Sequence, residues 1–358
     1  MSLPLQVQTA YQDLLQRYLV KPDLDFDGSI MRIEKGDKAY WISRKRMGNS
    51  AKDTAIGPDN EDTRAMVDKA LEQQETHKSW NREVSANVAM LKAARCLAPD
   101  LLTGKLLAGL SHTGFFKAGG VIGGTQAFRH YPLDLGLETP SLGNIQTGDL
   151  DLVAPGHLRL AGLHESFMTR VGRFVDDLKP QFPLDQRDPM KWVVDGRVEI
   201  EILSPVVRGG EPSYDHPGLG EKVQTLRYLE YALKDPIQAV SLYRGGVLIA
   251  IPSPQRYACH KLLVAQCRQG AFQQKKRKDL DQAEWLIEHL AKERPYDLWA
   301  AWSDLTGRGR KWRGLAEDSL RERPGIRDHL DAVMEEFGDA PGLSDTESGS
   351  DDDESFEP

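Results

Sequence analysis

Between residues 4 and 20 the apolar positions Leu5, Tyr11, Leu14, Leu15, Tyr18 and Leu19 recur at helical intervals, which gathers them on one face of a short amphipathic helix. The texture then changes. "GSIMRIEKGDKAYWISRKRMGN" alternates apolar and polar residues around the turn signal "KGDK", predicting a β-hairpin, and "IGPDNED" caps the helix that follows. From about Glu61 to Leu97 the chain holds no Pro or Gly and is rich in Ala, Leu, Glu and Lys, so one long helix is expected, broken at most once. A second helical stretch near residues 99–113 leads into "FFKAGGVIGGTQAFRHY". There "FKAGGVIG" reads as a buried strand and "TQAFRHY" as the start of a helix. "GDLDLVAP", "GRVEIEILSP" and "GGVLIAIPSP" read as strands, with helices expected at about 161–178, 221–234, 254–269 and 277–293. No internal repeat is present.

This order predicts an α+β protein, a mixed α/β core with helices attached. Side chains alternate faces along a strand, so Asp149 and Asp151 point the same way, as do Glu199 and Glu201. Two strands can thus aim several carboxylates at one point. An ionised carboxylate withdrawn from water is costly without a positive neighbour, so a cation is expected beside them. Magnesium suits such a place, because it takes oxygen ligands and is commonly held by one or two carboxylates together with substrate phosphates. Upstream, Gly123 and Gly124 allow close approach of the backbone to a ligand, and the amides opening the next helix point at an anion.

Composition narrows the class. The 358 residues, 40% apolar with seven Trp, suffice for one large or two ordinary globular domains. No apolar run approaches a membrane span, and the first twenty residues lack the features of a secretory signal. Cys96, Cys259 and Cys267 show no clustering typical of a zinc site or a disulfide framework, which fits a reducing cytoplasm. The net charge of −8 conceals a division, because beyond Arg327 there is no Lys or Arg but twelve Asp and Glu, leaving 46 basic and 42 acidic side chains before it. The acidic end, "GLSDTESGSDDDESFEP", is expected to be disordered.

The segments "GGVIGGTQAF", "TGDLDLV", "VEIEILSP", "ALKDPIQAV", "GVLIAIPSPQRYACHKLLVAQCR" and "KKRKDLDQAEWLIEHL" together resemble a bacterial group in the polymerase-β-like nucleotidyltransferase superfamily. The similarity also takes in the hairpin and "IGPD", covering roughly residues 25–295. It implies a nucleotidyltransferase core at 114–253, preceded by an N-terminal helix and hairpin arm (1–60) and a helical connector (61–113). A helical C-terminal domain (254–335) and an acidic tail (336–358) follow.

The resemblance further implies that Gly123, Gly124 and Thr125 hold the triphosphate of an NTP such as ATP. Asp149 and Asp151 would bind two Mg²⁺ ions, or Mn²⁺, with Glu201 as the third carboxylate that completes a metal site and helps deprotonate the attacking hydroxyl. Lys261 is the candidate for a β- or γ-phosphate contact. The implied activity is transfer of a nucleoside monophosphate to a hydroxyl of RNA or tRNA, of a protein, or of a small molecule, and related branches act as toxins or defence components. The long stretch from Gly124 to Asp149 and a Glu at position 201, where close relatives carry Asp, are departures from the pattern. An inactive nucleotide- or nucleic-acid-binding protein on the same scaffold is the alternative.

Each residue also has a plainer role open to it. Asp149 could end a strand or pair with a buried Arg, Glu199 shares the face of Glu201, Thr125 could cap its helix, and Lys261 could be a surface lysine. Asp279 and Asp281 read mainly as helix surface or ion pairs, and His260 is assigned no role. Gly119 and Gly120 read as packing glycines, and Tyr40 and Trp41 as cover for the core. The runs "KKRK" (275–278) and "RGRKWRG" (308–314), with Trp302 and Trp312, suit contact with a phosphate backbone, although such runs are usually solvated helix faces.

Overall fold

Helix α1 (Leu5–Leu19) forms where the apolar spacing places it and buries Val7, Ala10, Tyr11 and Leu14. The computed structural model to which it belongs describes residues 1–47, 50–140, 148–162, 165–181, 191–206, 210–268 and 273–338. The acidic end from residue 339 onward lies outside the described residues. Three strands follow α1: β1 (Ser29–Lys35), β2 (Lys38–Met47) and β3 (Ser50–Pro58), paired antiparallel in that order. The expected hairpin is thus a three-stranded sheet. Its third strand, "SAKDTAIGP", has too few apolar residues to show an alternation, and its pairing with β2 supplies what its own pattern lacks.

Helix α2 (Glu61–Ala93) runs unbroken for 33 residues. The Asn60 side chain caps it by accepting from the Thr63 amide at 2.8 Å, and Glu61 and Asp62 place negative charge at its positive end. Its residues Trp80, Val84, Val88 and Leu91 pack with the buried face of α1 into one apolar cluster. Helix α3 (Leu101–His112) is capped in turn by Asp100, whose carboxylate accepts from the amides of Leu102 and Thr103 at 3.0 Å.

The central sheet then begins with β4 (Val121–Ile122), α4 (Gly124–Phe128), α5 (Tyr131–Asp134), β5 (Asp149–Val153), α6 (Phe167–Val171), β6 (Leu178–Gln181), β7 (Lys191–Val194) and β8 (Val198–Pro205). Strands β9 (Ser213–His216) and β10 (Glu221–Leu226) complete it, while β11 (Ile237–Ser241) and β12 (Val247–Ile251) form a separate antiparallel pair. The order is β4, β5, β8, β10, β9, with β7 beside the first half of β8 and β6 beside β7. Strand β5 is parallel to β8, and both β4 and β7 run antiparallel to their partners.

Three expectations change here. Of "FKAGGVIG" only Val121 and Ile122 form a strand, because Gly119 turns the chain at φ 94° and Gly120 lies so close to the Phe115 ring that a Cβ there would stand 2.5 Å from it. The helix expected at 161–178 is confined to α6 among the described residues. The helix expected at 221–234 is instead β10 followed by a short helix, since Glu221, Val223 and Thr225 are buried in strict alternation with half-buried neighbours.

Residues Met1–Leu226 and Pro236–Ile251 form one compact unit, and Arg227–Asp235 with the chain from Pro252 form a second. The second unit is helical: α7 (Leu229–Ala232), α8 (Pro254–Gln266), α9 (Gln273–Glu293), α10 (Pro295–Gly307), α11 (Arg310–Glu322) and α12 (Pro324–Phe337). Proline opens α8, α10 and α12, where its fixed φ suits the first turn and its missing N–H costs nothing. Leu262, Leu263, Leu286, Ile287, Leu290 and Leu298 are fully buried in it. No helix among the described residues is long and apolar enough to cross a membrane.

Candidate functional site

The parallel register of β5 and β8 sets Asp149 beside Glu199 and Asp151 beside Glu201. Neighbouring strands lie about 4.8 Å apart, so four carboxylates occupy one small area of one sheet face. The opposite face is apolar, with Leu150, Leu152, Ile200 and Ile202 fully buried. Asp149, Asp151 and Glu201 are half-buried and Glu199 is exposed. Both strands therefore follow the alternation their sequences predict, with the acids turned away from the core.

Strand β4 brings the glycine turn onto this face. Val121 and Ile122 pair with Val153 and Leu152, and the Gly123 amide donates to the Asp151 carbonyl at 2.8 Å. Gly124 follows at φ +52°, a region that favours glycine, and a Cβ built on it would fall 1.8 Å from Asp151 Oδ2. At Gly123 a Cβ would stand 3.0 Å from Val153 Cγ2 and 3.4 Å from Asp151 Cβ. The Asp151 carboxylate thus occupies the space that the missing side chain of Gly124 leaves. Thr125 is buried in the first turn of α4, whose N-cap is Gly123, and the helix has no side-chain cap.

One cation stands in this face that the sequence reading did not single out. The Lys191 ammonium, on β7 opposite Glu201, forms an ion pair with Glu201 Oε1. Partial burial works to lower the Lys191 pKa, but the hydrogen bond and charge of Glu201, with the charges of Glu199 and Asp149, outweigh it and hold the ammonium above its ordinary range. The signal was present in "KWVVDGRVEIEI". Asp-Gly between two apolar runs marks a tight hairpin, and Asp195 and Gly196 have the positive φ values of 52° and 63° that such a turn requires. Folding "KWVV" back on "VEIEI" puts Lys191 across from Glu201.

The structure thus brings Gly123, Gly124, Thr125, Asp149, Asp151 and Glu201 together in the first unit. Lys261 belongs to the second, where it is buried on α8 and forms an ion pair with the buried Asp279. Burial alone would raise the Asp279 pKa, but Lys261 and Arg268 overcome it and keep the carboxylate below its usual range. Asp281 pairs with Arg323 at 2.5 Å, so both acids of "KDLD" serve ion pairs. Trp41 donates to Asp59, the acid of "IGPD", at 3.0 Å, and Arg32 and Arg64 hold the same carboxylate at 2.7 Å. Trp302 is buried, which removes it as a stacking surface.

Among the described residues no group of three or more His, Cys, Asp or Glu closes on a point as a full metal cage does. Magnesium does not require one. Two carboxylates on one strand face are the donor set this ion takes when phosphates and water complete its shell, and Asp149 and Asp151 fit that chemistry. Glu201 would add a third oxygen only by leaving Lys191.

A nucleotidyltransferase family model matches residues 102–307, and the chain belongs to that family. The matched stretch runs from α3 to the end of α10 and contains the glycine turn, both aspartates, Lys191 and Glu201. Among solved structures the chain is similar to an antigenic nucleotidyltransferase-like protein from Paracoccidioides brasiliensis, at 16% identity and a TM-score of 0.36, over 66% of this chain and 94% of that one. No curated protein matches it in sequence.

Proposed function

We propose that the protein transfers a nucleoside monophosphate from an NTP to a hydroxyl acceptor, in a Mg²⁺-dependent reaction on a polymerase-β-like core. The observation that carries this is the seating of Asp151 against Gly124, at one edge of a face where Asp149, Glu199 and Glu201 also stand. In the reaction the acceptor oxygen forms a bond to the α-phosphorus, the bond to pyrophosphate breaks, and the acceptor proton leaves to a base. Magnesium, when bound, would neutralise phosphate charge and lower the pKa of the attacking hydroxyl.

Asp149 and Asp151 are the residues that would hold it. Phosphates would lie against the backbone of the Gly123–Gly124 turn, next to the seated Asp151. Glu201, once released by Lys191, would accept the acceptor proton. Lys191 supplies positive charge within the site, and the Lys261 ammonium is engaged by Asp279 in the second unit.

The ion pair of Lys191 with Glu201 favours a second reading, in which the chain binds nucleotide without chemistry because its third acid is already neutralised. One experiment separates the two. Purified protein is incubated with each α-³²P NTP, Mg²⁺, and total RNA or lysate. Label is expected to move to a macromolecule with wild type and to fall roughly 10²-fold or more with Asp149→Asn and Asp151→Asn combined, the scale on which preorganised electrostatic groups act. Gly124→Ala, whose methyl would displace the Asp151 carboxylate, is expected to lose activity without removing any acid. Nucleotide binding with no transfer of label from any NTP would select the second reading.

A further inference from the structure

We propose that the second unit carries a binding surface for a nucleic-acid strand, formed where the start of α11, the end of α10 and the residues after β10 meet. Residues 305–316, "LTGRGRKWRGLA", contain Arg308, Arg310, Lys311 and Arg313 and no acid. Arg310, Lys311 and Arg313 occupy the first turn of α11, at the positive end of the helix dipole, where cations oppose folding. All three are exposed. Such a placement works against stability, so its use lies in what it attracts.

Two other elements add to the same patch. The charges of Lys311, Arg268 and Arg227 act on the Cys267 thiol, opposing the upward push that desolvation gives its pKa. Arg268 is tied to Asp279 at 3.2 Å, but Arg227, Arg310 and Lys311 have no carboxylate partner among the described residues. Beside them the Trp312 ring meets Tyr228 edge to face at 4.6 Å, and the Arg308 guanidinium lies 5.1 Å from the Trp312 centroid. Tyr228 is held at φ +67°, a strained setting for a bulky residue that the packing of its ring against Trp312 helps to maintain.

The chemistry of this patch selects its ligand. Arginine predominates, and its planar fork matches phosphate oxygens two at a time. The charges come from three elements rather than one point, so a ligand with phosphates repeated along its length satisfies them better than a single anion does. Such binding releases counterions and weakens steeply with salt.

The test uses the full chain without nucleotide and follows fluorescence anisotropy of a labelled single-stranded RNA, and of DNA of the same sequence, across about 50 to 200 mM salt. Wild type is expected to bind with strong salt dependence. Arg227→Glu, Arg310→Glu and Lys311→Glu combined should lower affinity at least tenfold and reduce the log–log salt slope by about two, at roughly 0.7 per phosphate contact. Asp149→Asn with Asp151→Asn should bind the strand as wild type does, so failure of this inference is separate from failure of the nucleotide reading.

Circular dichroism checks the fold of the triple variant, and the milder pair Arg310→Gln and Lys311→Gln provides a second measurement. Cys267 is a built-in reporter: RNA should slow its alkylation and leave that of Cys96 unchanged. Equal binding by folded triple variant and wild type, salt-independent binding, or displacement of RNA by polyglutamate as readily as by unlabelled RNA would each overturn the proposal. The last outcome would assign the surface to acidic polypeptide.

Discussion

Four carboxylates on one face of two neighbouring strands repel one another, and Lys191 is a side chain that offsets this repulsion. Its ammonium answers Glu201 directly and Glu199 and Asp149 at longer range. Lys191 is 44% exposed and Glu201 25%, so solvent screens the pair and its worth stays near the upper end for surface pairs, about 1 kcal/mol. Lys191→Met is therefore expected to lower Tm modestly in metal-free buffer. Magnesium should then recover more stability in the variant than in wild type, because a cation binding the native state stabilises it and here replaces a lost one. Thermal unfolding of both proteins with and without Mg²⁺ measures this. An equal response in the two would show that Lys191 does not act as a counter-charge on this face.

Helix α3 shows at the scale of an element how packing overrides propensity. Gly104 lies inside it, where glycine costs roughly 1 kcal/mol relative to alanine, so Gly104→Ala should stabilise on propensity alone. Yet a Cβ there would stand 2.1 Å from Tyr243 Cδ2 and 2.5 Å from Cγ, atoms of a ring that cannot shrink. Overpacking costs typically about 1–3 kcal/mol, and the variant is expected to melt a few degrees below wild type by differential scanning calorimetry. A higher Tm would mean that the ring yields.

The same contest of local signal against long-range partner decided which elements were legible. Strands β5 and β8 could be read because acids alternate with Leu and Ile, and α2 because nothing in 33 residues interrupts it. Their register could not be read, since the pairing of Asp151 with Glu201 is set by a crossover of dozens of residues rather than by either strand. Strand β3 had no periodicity of its own to show, and the short β10 passed for the start of a helix. At the site, the glycine turn and the aspartates stood out through the doubled glycines and the acid–apolar alternation, and the resemblance to a family gave them roles. Lys191 did not, because a lysine at the start of a strand carries no signal until its hairpin is recognised.

At the scale of the whole molecule, each unit holds a half-buried histidine that resists protonation. His130 in the first unit donates from Nδ1 to the Gln126 carbonyl at 2.9 Å, and burial, aided by Arg129, pushes its pKa down to about 4. In the second unit burial, with Lys261 and Arg268, pushes His260 down to about 3 against the pull of Asp279. Both native values lie below the unfolded value near 6.5, so the unfolded chain takes up protons first as pH falls. Their contribution is complete above about pH 6.5 and declines as acid is added, levelling off only below the native pKa values.

At pH 5 full linkage would cost about 2 kcal/mol for each histidine, and partial exposure of both rings reduces this to roughly 1–2. Glu221 opposes the trend, because burial raises its pKa and lets the native state keep a proton longer. Comparison with variants isolates the histidine share. Urea unfolding at pH 7 and pH 5 is expected to show a loss of stability in wild type that is reduced by His130→Gln and by His260→Gln, each acting on its own unit. A pH response unchanged in both variants would mean that neither imidazole is held neutral by the fold, and that the acid sensitivity resides in other groups such as the buried His216 and the carboxylates.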